Sequence, residues 1–177
     1  MSFAPKFRAL ALMLAILPAL AGCGFHPVYA PSSGTTASVA ARLDEIQIGL
    51  LPNRSGQLLH EALEADLRRA GAPVFFRYHL HVNYSISAQV IGLQPDSSSS
   101  RTRLFANARW QLTKAGEPSQ VVTKGSASTM DAVNVIDNQY FALSLSTDQA
   151  HHQLARAIAE QITLELATYF NAHPHAG

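Results

Sequence analysis

A chain of 177 residues, 47% hydrophobic and 14% charged, is long enough for one domain with a real hydrophobic core. Its 13 basic and 12 acidic residues leave a net charge of +1, which excludes a global basic field for nucleic acid. A single cysteine excludes any intrachain disulfide, so the core must carry stability by itself.

At the N-terminus, Lys6 and Arg8 form a positive region, and Ala9 to Ala21 an apolar stretch broken only by Pro18. That stretch is too short to span a bilayer and predicts a secretory signal peptide over residues 1–22. Leu20-Ala21-Gly22-Cys23 closes it on the one cysteine of the chain, and the run resembles the lipobox of a bacterial lipoprotein. The resemblance implies cleavage before Cys23, diacylglycerol on its thiol, and acylation of the new amine by a fatty acid such as palmitate. Several acyl chains on one residue give stable anchoring, where one is marginal. Gly24 is compatible with the outer membrane, because aspartate there favours inner-membrane retention in enterobacterial lipoproteins. Cleavage leaves 155 residues with 11 basic and 12 acidic side chains, near neutrality. Residues 23–41 are rich in Pro, Ser, Thr, Gly and Ala and predict a flexible lipidated tether. Residues 42–171 predict the folded domain, and 172–177 a disordered tail.

The first predicted strand runs from Leu43 to Leu51 and ends at Pro52-Asn53. A helix follows over Arg54 to Ala70, with Asn53 or Ser55 as its cap. Leu59, Ala62, Leu63, Leu67 and Ala70 form its apolar stripe, and Gly71 and Pro73 stop it. The clearest period-two alternation in the chain comes next. Tyr78, Leu80, Val82, Tyr84, Ile86, Ala88 and Val90 point one way, and His79, His81, Asn83, Ser85, Ser87 and Gln89 the other. Thirteen such residues span about 40 Å, well beyond an ordinary strand. Gln94 to Ser100 predicts a loop. A second strand then places Leu104, Ala106, Ala108, Trp110 and Leu112 inward and Arg103, Phe105, Asn107, Arg109 and Gln111 outward. A turn over Lys114 to Pro118 leads to a third run, Gln120 to Met130, with Val121, Thr123, Gly125 and Ala127 on one face. Asp131 to Ser146 has no settled reading, either a short turn or the start of a helix. A last helix runs from Thr147 to about Asn171, capped by Thr147 or Asp148, with Leu154, Ala157, Ile158, Ile162, Leu166 and Tyr169 as its stripe. The order β-α-β-β-β-α predicts an α+β two-layer sandwich: a four-stranded mixed or antiparallel sheet with two helices on one face.

No catalytic constellation emerges. A Gly-x-Ser-x-Gly elbow, a dinucleotide fingerprint and a phosphate-binding loop are absent, and nothing assembles an acid, a base and a nucleophile. The expectation is a protein that is not an enzyme and carries no cofactor or metal. His79 and His81 share a strand face, which is half a metal site; no Cys, Asp or Glu on that strand supplies further ligands. The predicted outward sheet face is polar and neutral to basic. It is either a simple solvated face or a surface that docks in a polar cavity or meets anionic groups. Arg101, Arg103, Arg109 and Lys124 are its candidate anion-binding residues, since a guanidinium fork bonds two phosphate oxygens at once.

Several stretches converge on one family. Cys23-Gly24-Phe25-His26-Pro27-Val28-Tyr29 resembles the Cys-Gly-Phe-x-Pro-Val-Tyr start of alphaproteobacterial LptE, the lipopolysaccharide-assembly lipoprotein. Arg54-Ser55-Gly56-Gln57-Leu58-Leu59, Asn138-Gln139-Tyr140-Phe141-Ala142 and Ile158-Ala159-Glu160-Gln161-Ile162 are similar to that family's helix openings and last helix. The resemblance covers nearly all of residues 23–171. It implies a plug inside the LptD outer-membrane β-barrel that assists barrel assembly and lipopolysaccharide insertion, anchored in outer-membrane lipid through Cys23. A barrel of that size has a polar interior that a polar sheet face can meet. Arg101, Arg103, Arg109 and Lys124 as lipopolysaccharide contacts follow from charge and loop placement, not from the family's pattern. The alternative is an accessory periplasmic lipoprotein of an inner-membrane transporter or envelope enzyme.

Overall fold

The computed structural model describes residues 39–68, 75–93, 99–134 and 140–174. The signal segment, Cys23, the tether to residue 38, the stop signals Gly71 and Pro73, residues 94–98 of the serine loop, Asn138-Gln139 and residues 175–177 lie outside them. The elements are α1 (Val39–Asp44), β1 (Ile46–Ile48), α2 (Asn53–Leu67), β2 (Tyr78–Leu93), β3 (Ser99–Lys114), β4 (Glu117–Asn134) and α3 (Tyr140–Ala172). The four strands form one mixed sheet in the order β1-β2-β3-β4, with β1 parallel to β2 and the rest antiparallel. The α+β sandwich expected from the sequence is present.

Where the elements begin and end differs from the sequence reading at several points. The first strand shrinks to three residues, because Val39 to Asp44 closes into helix α1. Neither Asn53 nor Ser55 caps α2: the N-cap position is Pro52, with no side-chain bond. Asn53 takes a positive φ of 69°, which turns the chain from β1 into the helix; asparagine tolerates that region better than most residues. Strand β4 continues through Asp131 to Asn134. Helix α3 starts at Tyr140, so Thr147 and Asp148 lie inside it. The Thr147 hydroxyl donates to the Leu143 carbonyl, and Asp148 pairs with Arg54 of α2. Val121 leaves the expected face: a register shift after Leu112 sets it opposite Thr113, and it is exposed. The β3–β4 turn is Ala115-Gly116, where Gly116 takes the φ of 81° that a side chain would resist.

The core lies between the sheet and the two long helices. Leu59, Leu63 and Leu67 of α2 are buried, as are Leu154, Ile158, Ile162, Leu166 and Phe170 of α3. Helix α3 packs along β4 and β3 and against α2. Beneath it the sheet presents small residues, Ala106, Ala108 and Ala127, so large side chains of α3 fill the space. Burial of β2 fades from Ile86 onward, contrary to the sequence reading, and Val90 is 51% exposed. Length explains this: α2 covers about 22 Å, whereas β2 extends about 53 Å.

Arg42 fastens α1 to the end of α3. It is only 6% exposed, and its guanidinium lies 4.3 Å from the centroid of the Phe170 ring. Its Nη1 donates to the carbonyls of Phe170 at 3.3 Å and His173 at 2.8 Å. A helix leaves its last carbonyls without intrahelical partners, and a cation there also complements the helix dipole. Arg42→Ala is expected to cost about 2–4 kcal/mol in urea unfolding. A loss below about 0.5 kcal/mol would rule this clamp out.

Tyr84 of β2 faces Ala108, and its hydroxyl is buried with no protein hydrogen-bond partner among the described residues. Burial pushes its pKa up to about 12. The folded value lies above the unfolded value of about 10, so the associated stability is complete below pH 10 and is lost as pH rises toward 12. Tyr84→Phe is expected to stay within about 1 kcal/mol of the parent at pH 7 and to lose less stability between about pH 10 and 12. An identical alkaline loss in both proteins contradicts this assignment.

Candidate functional site: the outer face of the sheet

The alternation of β2, β3 and β4 builds a sheet with one face under the helices and one open. On the open face the register aligns His81, Gln111 and Lys124 in one row and Asn83, Arg109 and Ser126 in the next. Arg109 and Lys124 are thus diagonal neighbours, at about 7–8 Å by sheet geometry. Both are exposed, and both line a shallow concavity with His81, Asn83, Gln111 and Ser126. A second hollow, lined by Ser85, Asn107 and Ser128, shares Asn83, Arg109 and Ser126 with the first. The two make one polar trough with Arg109 at its middle.

Arg101 and Arg103 lie on the same face nearer the other end of the sheet, opposite Asn134 and Ala132. Arg103 and Arg109 are six positions apart, about 20 Å along the strand. The structure therefore joins Arg109 to Lys124 and sets Arg101 and Arg103 apart from them. Arg103 lies over the ring of Phe105, 5.9 Å from its centroid. Phe105 in turn pairs with Met130, which is 62% exposed. This puts an apolar island beside a cation, the pattern that suits an amphiphile. Alternation alone puts Met130 on the face of Lys124; only the strand register sets it opposite Phe105. Over residues 79–89 of β2, 101–111 of β3 and 124–134 of β4, this face carries no carboxylate.

The histidine rings of residues 79 and 81 have centroids 6.5 Å apart. Among the described residues, no group of three or more His, Cys, Asp or Glu is placed to hold a metal ion. No described helix is long and apolar enough to cross a membrane.

The family model for lipopolysaccharide-assembly protein LptE matches residues 43–166, from the end of α1 into the last turns of α3. The chain belongs to the LptE family. That family serves lipopolysaccharide assembly at the cell envelope and is not enzymatic. Among solved structures, the fold is similar to a protein from Caulobacter crescentus described as a lipoprotein. The two are 26% identical with a TM-score of 0.60, over 77% of this chain and 97% of that one. Rare lipoprotein B from Shewanella oneidensis has the same fold at 12% identity and a TM-score of 0.55, over 73% and 97% of the two chains. So does lipoprotein B from Nitrosomonas europaea, at 12% identity and a TM-score of 0.55, over 74% and 86%. No curated protein matches the chain.

Proposed function

We propose that this LptE-family chain is an outer-membrane lipoprotein, anchored through acylated Cys23, that plugs the LptD β-barrel, aids its assembly and assists lipopolysaccharide insertion into the outer leaflet. The observation that carries this reading is the trough on the open sheet face, lined by polar side chains with no carboxylate among them, with Arg109 and Lys124 side by side in it. A polar barrel lumen is water-lined, so the neutral-to-basic trough meets it without leaving an apolar surface wet. Arg109 and Lys124 are the first contacts for lipopolysaccharide phosphate; Arg103 and Arg101 form a separate contact, where Phe105 and Met130 offer apolar area for an acyl chain.

The test is a detergent pull-down of the tagged, lipidated protein from isolated envelopes. Recovery of a large outer-membrane barrel in near one-to-one amount supports the plug. Recovery of inner-membrane transporter subunits with no barrel overturns it and favours the accessory-lipoprotein alternative.

A further inference from the structure

The sheet has two outer edges, and they are finished differently. Strand β4 is blunted. In antiparallel pairing, alternate residues turn both N–H and C=O away from the neighbouring strand. On β4 one of these is Ser128, whose N–H donates to the Gln161 side-chain oxygen at 3.2 Å while its C=O accepts from the Gln161 amide at 3.4 Å. Gln161 thus acts there as a short substitute strand. The Ala132 N–H donates to the Asp131 carboxylate at 2.7 Å. Glu117, Pro118 and Lys124 add charge and a missing donor along the same strand, the usual devices against strand addition.

The other edge has none of these. Strand β1 covers β2 only from Tyr78 to Leu80. The Leu80 carbonyl accepts from the Gly49 N–H at 2.8 Å, which fixes the alternation: even-numbered residues of β2 point their backbone groups to this edge. Beyond Leu80, the N–H and C=O of Val82, Tyr84, Ile86, Ala88 and Val90 therefore face outward. Among the described residues none of them has a hydrogen-bond partner there. From Tyr78 to Leu93 the strand carries no Asp, Glu, Lys, Arg or Pro. Its side chains beside the edge, Ala88 and Val90, are exposed.

A second copy of β2 fits this edge poorly. A two-fold axis at Ile86 would match Val82 with Val90 and Tyr84 with Ala88, but the partner's Gly92 and Leu93 would then meet Leu80 and His79, where β1 already sits. Moving the axis to Ala88 clears β1 but draws the register irregularity between Val90 and Gly92 into the pairing. The edge is a bay closed at one end by β1, with room for a short strand.

We propose that the open edge of β2 from Val82 to Val90 is a docking site for one extended segment of a partner polypeptide, about nine residues long, which adds to the sheet as a further strand. The segment would be uncharged, matching the neutral edge, with apolar side chains on the helix side beside Ile86, Ala88 and Val90 and polar ones beside Ser85, Ser87 and Gln89. Backbone pairing supplies the affinity, so this inference does not depend on which envelope protein provides the strand.

The experiment is residue-resolved amide hydrogen exchange on the full lipidated protein, labelled in intact envelopes and, separately, after purification in detergent. The amides of Val82, Tyr84, Ile86, Ala88 and Val90 should exchange fast in the purified protein and at least about tenfold slower in envelopes. Those of Asn83, Ser85 and Ser87, already bonded to β3, should change little. A second arm uses Ala88→Pro, tolerated because that N–H is not used by the fold. It should leave the melting temperature near the parent's and return Val82, Tyr84 and Ile86 to fast exchange in envelopes. Equal exchange in envelopes and detergent overturns the proposal. So does protection that persists in Ala88→Pro, which would reflect general burial. Protection in the purified protein that rises with its concentration overturns it as well, by naming a second copy as the occupant.

Discussion

Gly125→Val is expected to destabilise the domain by about 3 kcal/mol or more, a large part of the usual 5–15 kcal/mol. Gly125 of β4 lies opposite Trp110 of β3 on the helix side of the sheet. A Cβ placed there would come within 2.6 Å of Trp110 Cζ2 and 2.8 Å of Cε2, and within 2.5 Å of Glu165 Oε2. The glutamate tip is exposed and can swing away. The indole is only 4% exposed and has nowhere to go. It covers the glycine as aromatic side chains cover glycine elsewhere in sheets, so the pair acts as one packing unit. Gly125→Ala should cost about 1–3 kcal/mol by the same clash, ahead of any gain from alanine's lower unfolded-state entropy. Trp110 is the single tryptophan, so its fluorescence in a urea titration reports both stability and the ring's displacement. Stability of Gly125→Ala within about 0.5 kcal/mol of the parent, with an unchanged emission maximum, would rule the clash out.

Charge reversal in the trough has the largest expected effect on ligand binding. Arg109→Glu with Lys124→Glu should weaken binding of purified lipopolysaccharide about 30-fold. Exposed ion pairs contribute about 0.5–1 kcal/mol each, and reversal replaces attraction by repulsion, for about 2 kcal/mol together. The loss should shrink at high salt, because both groups are exposed and screened. Stability should hardly move: neither side chain belongs to the buried core. Arg103→Glu tests the other end of the face and should act additively, since sites about 20 Å apart do not share one phosphate. Unchanged lipopolysaccharide affinity in the double reversal, with the fold intact, removes Arg109 and Lys124 from the contact set.

Much of the architecture could be read from side-chain alternation. The inward rows of β3 from Leu104 to Leu112, and the stripes of α2 and α3, follow from periods of two and 3.6 in one sequence. The Arg109 and Lys124 placement on the open face follows from the same alternation. Their adjacency does not, because it depends on how β3 and β4 slide past one another, which the two-residue turn at Ala115-Gly116 and the register shift after Leu112 decide together. Helix α1 was hidden because six residues carry too little periodicity, and its place is set by Arg42 reaching the far end of α3, a contact across 131 positions of sequence.

The sequence by itself determined the polar–apolar alternation of the strands, the helical stripes, and through them the two-layer α+β order and a polar, neutral-to-basic sheet face. Tertiary structure alone decided how far those faces are covered. Val82 to Val90 read in the sequence like any half-buried strand. That they end as an open, uncharged edge depends on the three-residue length of β1 and the limited reach of α2. Burial is a property of what packs against a strand, and a strand's own residues carry no record of where its neighbour stops.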